Sequence, residues 1–150
     1  MSLDNPHSMF DIHGKVVLIT GASGAFGAVA ARCFAGAGCK VVLAAGNAEA
    51  LEEVAATCST DVHMINARPD SEAACESMVR EAVETYGALD ILVVASGMNK
   101  VAMIEDMEPE TFESVMDANV TQSWLLARAA SKQMKAQGNG GKIVFVSSAR

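Results

Sequence analysis

The sequence predicts a doubly wound parallel α/β sheet with helices on both faces, and three observations carry that prediction. Four short runs, at residues 15–20, 40–45, 90–95 and 142–146, each follow an opening Lys or Asp with an almost wholly apolar stretch rich in Val, Ile and Leu, the mark of strands buried on both faces. The stretches between them repeat apolar residues at three and four, as helices do. The joints are short and marked by glycine, so strand and helix alternate as in right-handed β-α-β units. At 150 residues, with no linker, repeat or low-complexity stretch, the chain is one domain.

The first strand, residues 15–20, lies between Gly14 and Gly21. After a glycine-rich turn, Phe26, Val29, Ala30, Cys33 and Phe34 recur at helical spacing. They predict an amphipathic helix that stops at Gly36 and Gly38. Residues 40–45 form the second strand, 48–57 the second helix, and 61–66 a third, weaker strand. Asp70 or Ser71 can cap a helix that runs to Tyr86 and stops at Gly87. Residues 90–95 are the fourth strand. Pro109 suits the first position of a long helix reaching about residue 136, because its missing N–H costs nothing there. Phe112, Val115, Met116, Asn119, Ser123, Leu126, Ala127, Ala130 and Met134 form its core stripe. Glycines at 138, 140 and 141 end that helix, and residues 142–146 are a fifth buried strand.

Composition narrows the function. A chain that is 51% hydrophobic and 19% charged can bury enough surface to fold. No run approaches the ~20 apolar residues of a membrane span. Eleven basic against eighteen acidic residues, net −7, make a nucleic-acid partner unexpected. Cys33, Cys39, Cys58 and Cys75 have neither C-x-x-C nor zinc-type spacing with His7, His13 or His63. No metal is expected, and reduced thiols point to the cytoplasm. Residues 1–9 are polar and lack the pattern of a secretory signal, and the first three read as an expression-vector remnant.

The glycine cluster of residues 20–27 (Thr20, Gly21, Ala22, Ser23, Gly24, Ala25, Phe26, Gly27) carries the chemistry. It joins the first strand to the first helix of a β-α-β unit. Glycines there permit a tight turn, let backbone approach a pyrophosphate and let the helix pack close to the sheet. The free N–H groups at the helix start then face the anion.

With these residues the sequence resembles the short-chain dehydrogenase/reductase family, whose members carry Thr-Gly-x-x-x-Gly-x-Gly after the first strand. Thr20, Gly21 and Gly27 match; Ala25 stands at the middle glycine and Gly24 sits one residue early. Asn119 matches the family's catalytic Asn, and Ser147-Ser148 the position of its catalytic Ser. The resemblance covers residues 10–150 and implies a Rossmann-type sheet of strand order 3-2-1-4-5. It implies hydride transfer between NAD or NADP and an alcohol or ketone, and a homo-oligomer, dimer or tetramer.

It also assigns the site. Gly21, Ser23, Gly24, Ala25, Phe26 and Gly27 would hold the pyrophosphate, with Gly24 offering positive φ to compensate for Ala25. Gly46 and Asn47, ending the second strand, would face the adenosine ribose. An acid there would repel a 2′-phosphate and an arginine would attract it. Neither is present, which leaves both cofactors open and tips the balance towards NADP, with Asn47 and backbone N–H groups as donors. Ala67 and Arg68 stand where the family keeps an Asp near the adenine; Arg68 would stack on the base, reach a phosphate or lie at the surface. Val94, Ala95, Ser96 and Gly97 stand where the family keeps Asn-Asn-Ala-Gly, with only the glycine retained, so the bonds of its two asparagines must be made otherwise.

Ser148, at the carboxyl edge of the sheet, would hydrogen-bond the substrate oxygen. Asn119, expected on the core stripe, would bind a water relaying protons to the family's Lys. That Lys and its Tyr lie in Tyr-x-x-x-Lys, expected roughly a dozen residues past Arg150. Tyr86, the one tyrosine, does not fit it. The chain therefore reads as the first part of a longer dehydrogenase. Met98, Met103, Ile104 and Met107 would line an apolar substrate pocket or simply fill core beneath a loop. A non-catalytic dinucleotide sensor or scaffold stays open on the eroded motifs. A methyltransferase is disfavoured by the missing acid, and a serine hydrolase by the absence of Gly-x-Ser-x-Gly.

Overall fold

Five parallel strands in the order β3-β2-β1-β4-β5 form the sheet of a computed structural model that describes residues 10–147. Chain order runs β1 (Val16–Thr20), α1 (Ala25–Gly36), β2 (Lys40–Ala44), α2 (Ala48–Ala56), β3 (His63–Ile65), α3 (Glu72–Tyr86) and β4 (Ile91–Val94). It then continues through α4 (Pro109–Met116), a π-helical turn (Asp117–Thr121), α5 (Gln122–Ala136) and β5 (Lys142–Phe145). Thr20 is level with Ala44 on one side and Val94 on the other, so β1, β2 and β4 end together at one edge.

Strand alternation splits the core in two. Leu18, Val42, Leu92 and Val94 face α3 and α5, packing against Met78, Ala82, Leu126 and Ala130. Val17, Ile19, Val41, Leu43 and Val93 face the other way, towards Ala31, Ala35 and Leu51 of α1 and α2. Both faces of the central strands are therefore dry, which is why their sequences do not alternate. Ser71 rather than Asp70 caps α3, accepting from Ala74 N–H at 3.2 Å, and Gly87 ends it with φ +85°.

Three expectations need correction. In α1 the buried stripe is Gly27, Ala31 and Ala35, while Phe26 (73% exposed), Val29 and Cys33 face outward. Ala30 and Phe34 are only half-buried. Two stripes compete at the same period, and the smaller side chains win because the helix lies tight against the turn before it. A Cβ on Gly27 would meet the Gly21 carbonyl oxygen at 2.2 Å.

The long helix, second, is interrupted by the π-helical turn. Its extra residue shifts the phase, so that Ala118 is buried while Phe112, Met116 and Asn119 are exposed. Third, β5 is not buried on both faces: it pairs only with β4, and Val144 and Phe145 are about half exposed. As an edge strand among the described residues, it has only half-buried Ile143 packing against the core.

Candidate functional site

The shared edge of β1, β2 and β4 is tied together by the turn after β1. Ala22 N–H donates to the Ala44 carbonyl of β2 at 3.1 Å, and Ala95 N–H, past β4, donates to the Thr20 carbonyl at 3.1 Å. Gly21 has φ +67°, and a Cβ on it would lie 2.5 Å from the Ala95 carbonyl and the Ser96 nitrogen. Only glycine meets both demands. Gly21 thus lets the turn lean on the end of β4, and Gly27 lets α1 lean on the turn.

Helix α1 begins without protection of its own. Gly24 is its N-cap and offers no side chain, and no acid occupies the first turn. The N–H groups at its start and the positive end of its dipole therefore face outward with no carboxylate against them. Gly24, Ala25 and Phe26 are exposed there, and Ser23 is half-buried. Gly24 has φ −81° and ψ 165°, extended backbone open to any residue. The expected use of positive φ at Gly24 is therefore incorrect; that freedom is used at Gly21.

Beside it, β2 runs out through Ala45 into Gly46 and Asn47, both exposed. Asn47 caps α2, its Oδ1 accepting from Ala50 N–H at 3.2 Å, and Glu49 stands in the first turn. Ala45 N–H donates to the Ile65 carbonyl at 3.2 Å, joining the ends of β2 and β3. That join carries Ala67 against the core and lays Arg68 across Gly46. A Cβ on Gly46 would meet Arg68 Nε at 2.4 Å and Cγ at 2.7 Å.

On the far side, buried Thr20 and half-buried Ser96 share a hydroxyl–hydroxyl hydrogen bond of 3.0 Å. This bond joins β1 to the segment after β4, where the family's asparagines would act. Asn119 holds the next turn. Its Oδ1 accepts from Met98 N–H at 3.1 Å, and its Nδ2 donates to the carbonyls of Met98 (2.7 Å) and Val115 (2.8 Å). Gly97 makes room, since a Cβ there would meet Asn119 Oδ1 at 2.5 Å.

Asn119 is therefore an exposed clamp on the segment after β4 and not a residue of the buried stripe. With both Nδ2 hydrogens spent, a water at its side chain is left with the second lone pair of Oδ1. Met98, Met103 and Ile104 are exposed in the irregular segment after β4 rather than lining a closed pocket.

The expected residues Gly21, Ser23, Gly24, Ala25, Phe26, Gly27, Ala95, Ser96 and Gly97 gather on one edge, with Asn119 clamped to its Met98 side. Gly46, Asn47, Ala67 and Arg68 gather at the adjoining ends of β2 and β3. Val146 N–H donates to the Val94 carbonyl at 2.9 Å, bringing the chain to Ser147 beside the end of β4. Ser148 lies outside the described residues. Two features escaped sequence reasoning. Thr20 bonds Ser96, and its signal was a polar residue closing a wholly apolar strand. Gly46 seats Arg68, which has no signal without the β2–β3 register. Among the described residues no three His, Cys, Asp or Glu come together as a metal site, and no helix is long and apolar enough to cross a membrane.

A family model described as short chain dehydrogenase matches residues 15–150. An uncharacterized oxidoreductase of Mycobacterium tuberculosis is 46% identical over 142 residues, covering 94% of this chain and 53% of the relative. The L-rhamnose 1-dehydrogenase (NAD(P)(+)) of Azotobacter vinelandii is 34% identical over 142 residues, covering 89% of this chain and 55% of its own length. A crystal structure of a short-chain type dehydrogenase/reductase from Mycobacterium marinum matches at 34% identity with a TM-score of 0.91, covering 99% of this chain and 60% of that one. The chain spans about half the length of the curated relatives it matches.

Proposed function

The chain belongs to the short-chain dehydrogenase family, and on that premise we propose that it is the dinucleotide-binding part of an oxidoreductase that interconverts an alcohol and a ketone using NADP or NAD. The observation that carries the reading is the bare start of α1 beside a turn that only glycine can make at Gly21. The residues fit a dinucleotide. An uncapped helix end suits a pyrophosphate, and the Gly21–Ala95 approach keeps side chains out of its way.

The nicotinamide ring, when bound, supplies the hydride donor or acceptor. In this reading the turn and the first N–H groups of α1 bind the pyrophosphate. Gly46, Asn47, Ala67 and Arg68 receive the adenosine end, and residues 95–97 the other side of the groove. Asn119 orients that segment through Met98 and carries the relay water, while Ser148 donates a hydrogen bond to the substrate oxygen. The acid-free end of β2 favours NADP over NAD. The exposed apolar residues Phe112, Met116, Val120 and Trp124 support self-association of the whole protein. The free cysteines support a cytoplasmic setting.

A panel of small carbonyl compounds with NADPH and NADH tests the reading. Cofactor-dependent turnover by the full-length protein is expected, and binding of dinucleotide without any hydride transfer would favour the sensor reading. Ser148→Ala should lower turnover by on the order of 10²–10³, as loss of one oxyanion donor does, with cofactor affinity nearly unchanged. Turnover within about threefold of wild type would refute the role of Ser148.

A further inference from the structure

We propose that Arg68, seated on Gly46, is the side chain that recognises the adenosine 2′-phosphate and makes this chain select NADP(H). The proposal rests on the dinucleotide-binding reading above and adds to it a residue and a mode of discrimination.

Discrimination between the two cofactors is a question of charge at the end of β2. Residues 45–47 carry no carboxylate there, so nothing repels a phosphate. That removes the obstacle to NADP, and a strong preference for it also needs a cation. The cation comes from the neighbouring strand. β2 and β3 run parallel with Ala44 opposite Ile65, and the bond from Ala45 N–H to the Ile65 carbonyl extends the pairing past both strands. Three residues further on, Arg68 is brought back across the end of β2.

The contact is close. Arg68 Nε, Cγ and Cδ would lie 2.4, 2.7 and 3.1 Å from a Cβ on residue 46, so the arginine occupies the space that any other residue would fill. Gly46 has no positive φ to accommodate. Its missing side chain serves as the seat of the arginine.

The guanidinium is also available. Arg68 makes no ion pair among the described residues, Asp70 two positions on included, a freedom it shares with Arg32, Lys40, Lys100, Lys135 and Lys142. In a chain of net charge −7 such a cation is open to an anionic ligand. A planar guanidinium offers a phosphate two parallel N–H donors, which a ribose hydroxyl cannot match. Stacking on the adenine, the other role open to an arginine here, would serve NAD and NADP alike, and this separates the two in experiment.

The test is titration of the full-length protein with NADP, NAD, adenosine 2′,5′-bisphosphate and 5′-AMP, in wild type, Arg68→Ala, Arg68→Lys and Gly46→Ala. Wild type should prefer NADP and the bisphosphate. Arg68→Ala should lose roughly 10- to 100-fold towards both, as expected for a charge-assisted bond, while NAD and 5′-AMP stay within about threefold. Arg68→Lys should fall between, and Gly46→Ala, with Arg68 intact but displaced, should move the same way as Arg68→Ala. Equal losses for both cofactors, or a wild-type preference for NAD, would overturn the role of Arg68 while leaving dinucleotide binding standing. Failure of wild type to bind any of the four would remove both readings together.

Discussion

Helices α1 and α3 both leave the carboxyl edge of the sheet, one after β1 and the other after β3, and they begin in opposite ways. Helix α3 closes its own start, with Ser71 Oγ accepting from Ala74 N–H and Glu72 set against the positive dipole end. Helix α1 has glycine at the N-cap and no acid in its first turn. A cap contributes about 1 kcal/mol, so α1 forgoes stability that α3 takes from ordinary residues. The contrast supports the proposal that the start of α1 is the end left for an anionic ligand.

The contrast can be broken most severely at Gly21. Gly21→Ala places a methyl group into the Ala95–Ser96 backbone at positive φ, and should cost roughly 3 kcal/mol of stability along with dinucleotide binding. An unchanged urea midpoint would show that the close approach is not needed. Gly24→Asp would make α1 resemble α3. The new carboxylate should raise stability by about 0.5 kcal/mol while weakening NADP and NAD more than about tenfold, because it competes for the same N–H groups. A variant that gained stability and bound as before would place the anion elsewhere.

Ser71→Ala is the converse. It should lower stability by about 1 kcal/mol and leave both cofactor affinities alone, which unfolding and titration on one preparation can check. The smallest effect is expected for Gly24→Ala, because φ −81° suits alanine and the one nearby atom, the Gly21 carbonyl oxygen, lies 3.3 Å from the new Cβ. Affinity should change by less than about threefold; a larger loss would restore a conformational role to Gly24.

The limits of reading this sequence follow the physics of each feature. Runs such as Val16–Thr20 and Ile91–Val94 announce burial on both faces by composition alone, so the parallel sheet was legible, while its strand order came only with the family resemblance. Gly21 and Gly27 were legible as places of close approach, though the surfaces they approach were not. Which stripe of α1 faces the sheet depended on side-chain volume rather than period, since Phe26 and Val29 repeat as regularly as Gly27 and Ala31. The exposure of Asn119 depended on a π-helical turn that has no compositional mark. The seat of Arg68 on Gly46 required the pairing of β2 with β3, a long-range fact that no local window contains. β5 looks like its neighbours in sequence, yet its burial is decided by what lies beside it.

The π-helical turn at Asp117–Thr121 also constrains how this helix can vary in length. A π turn amounts to one residue more than the regular winding holds, and each residue advances a regular helix by about 100°. Deleting one residue within the turn would heal the winding and rotate α4 by about that angle relative to α5. Asn119 would then lose its grip on both backbone groups of Met98, while the strands and the packing of α5 on α3 stayed as they are. Length at this turn is therefore as restricted as residue type, because the surplus residue lets a helix end on the core at one side and hold a loop at the other.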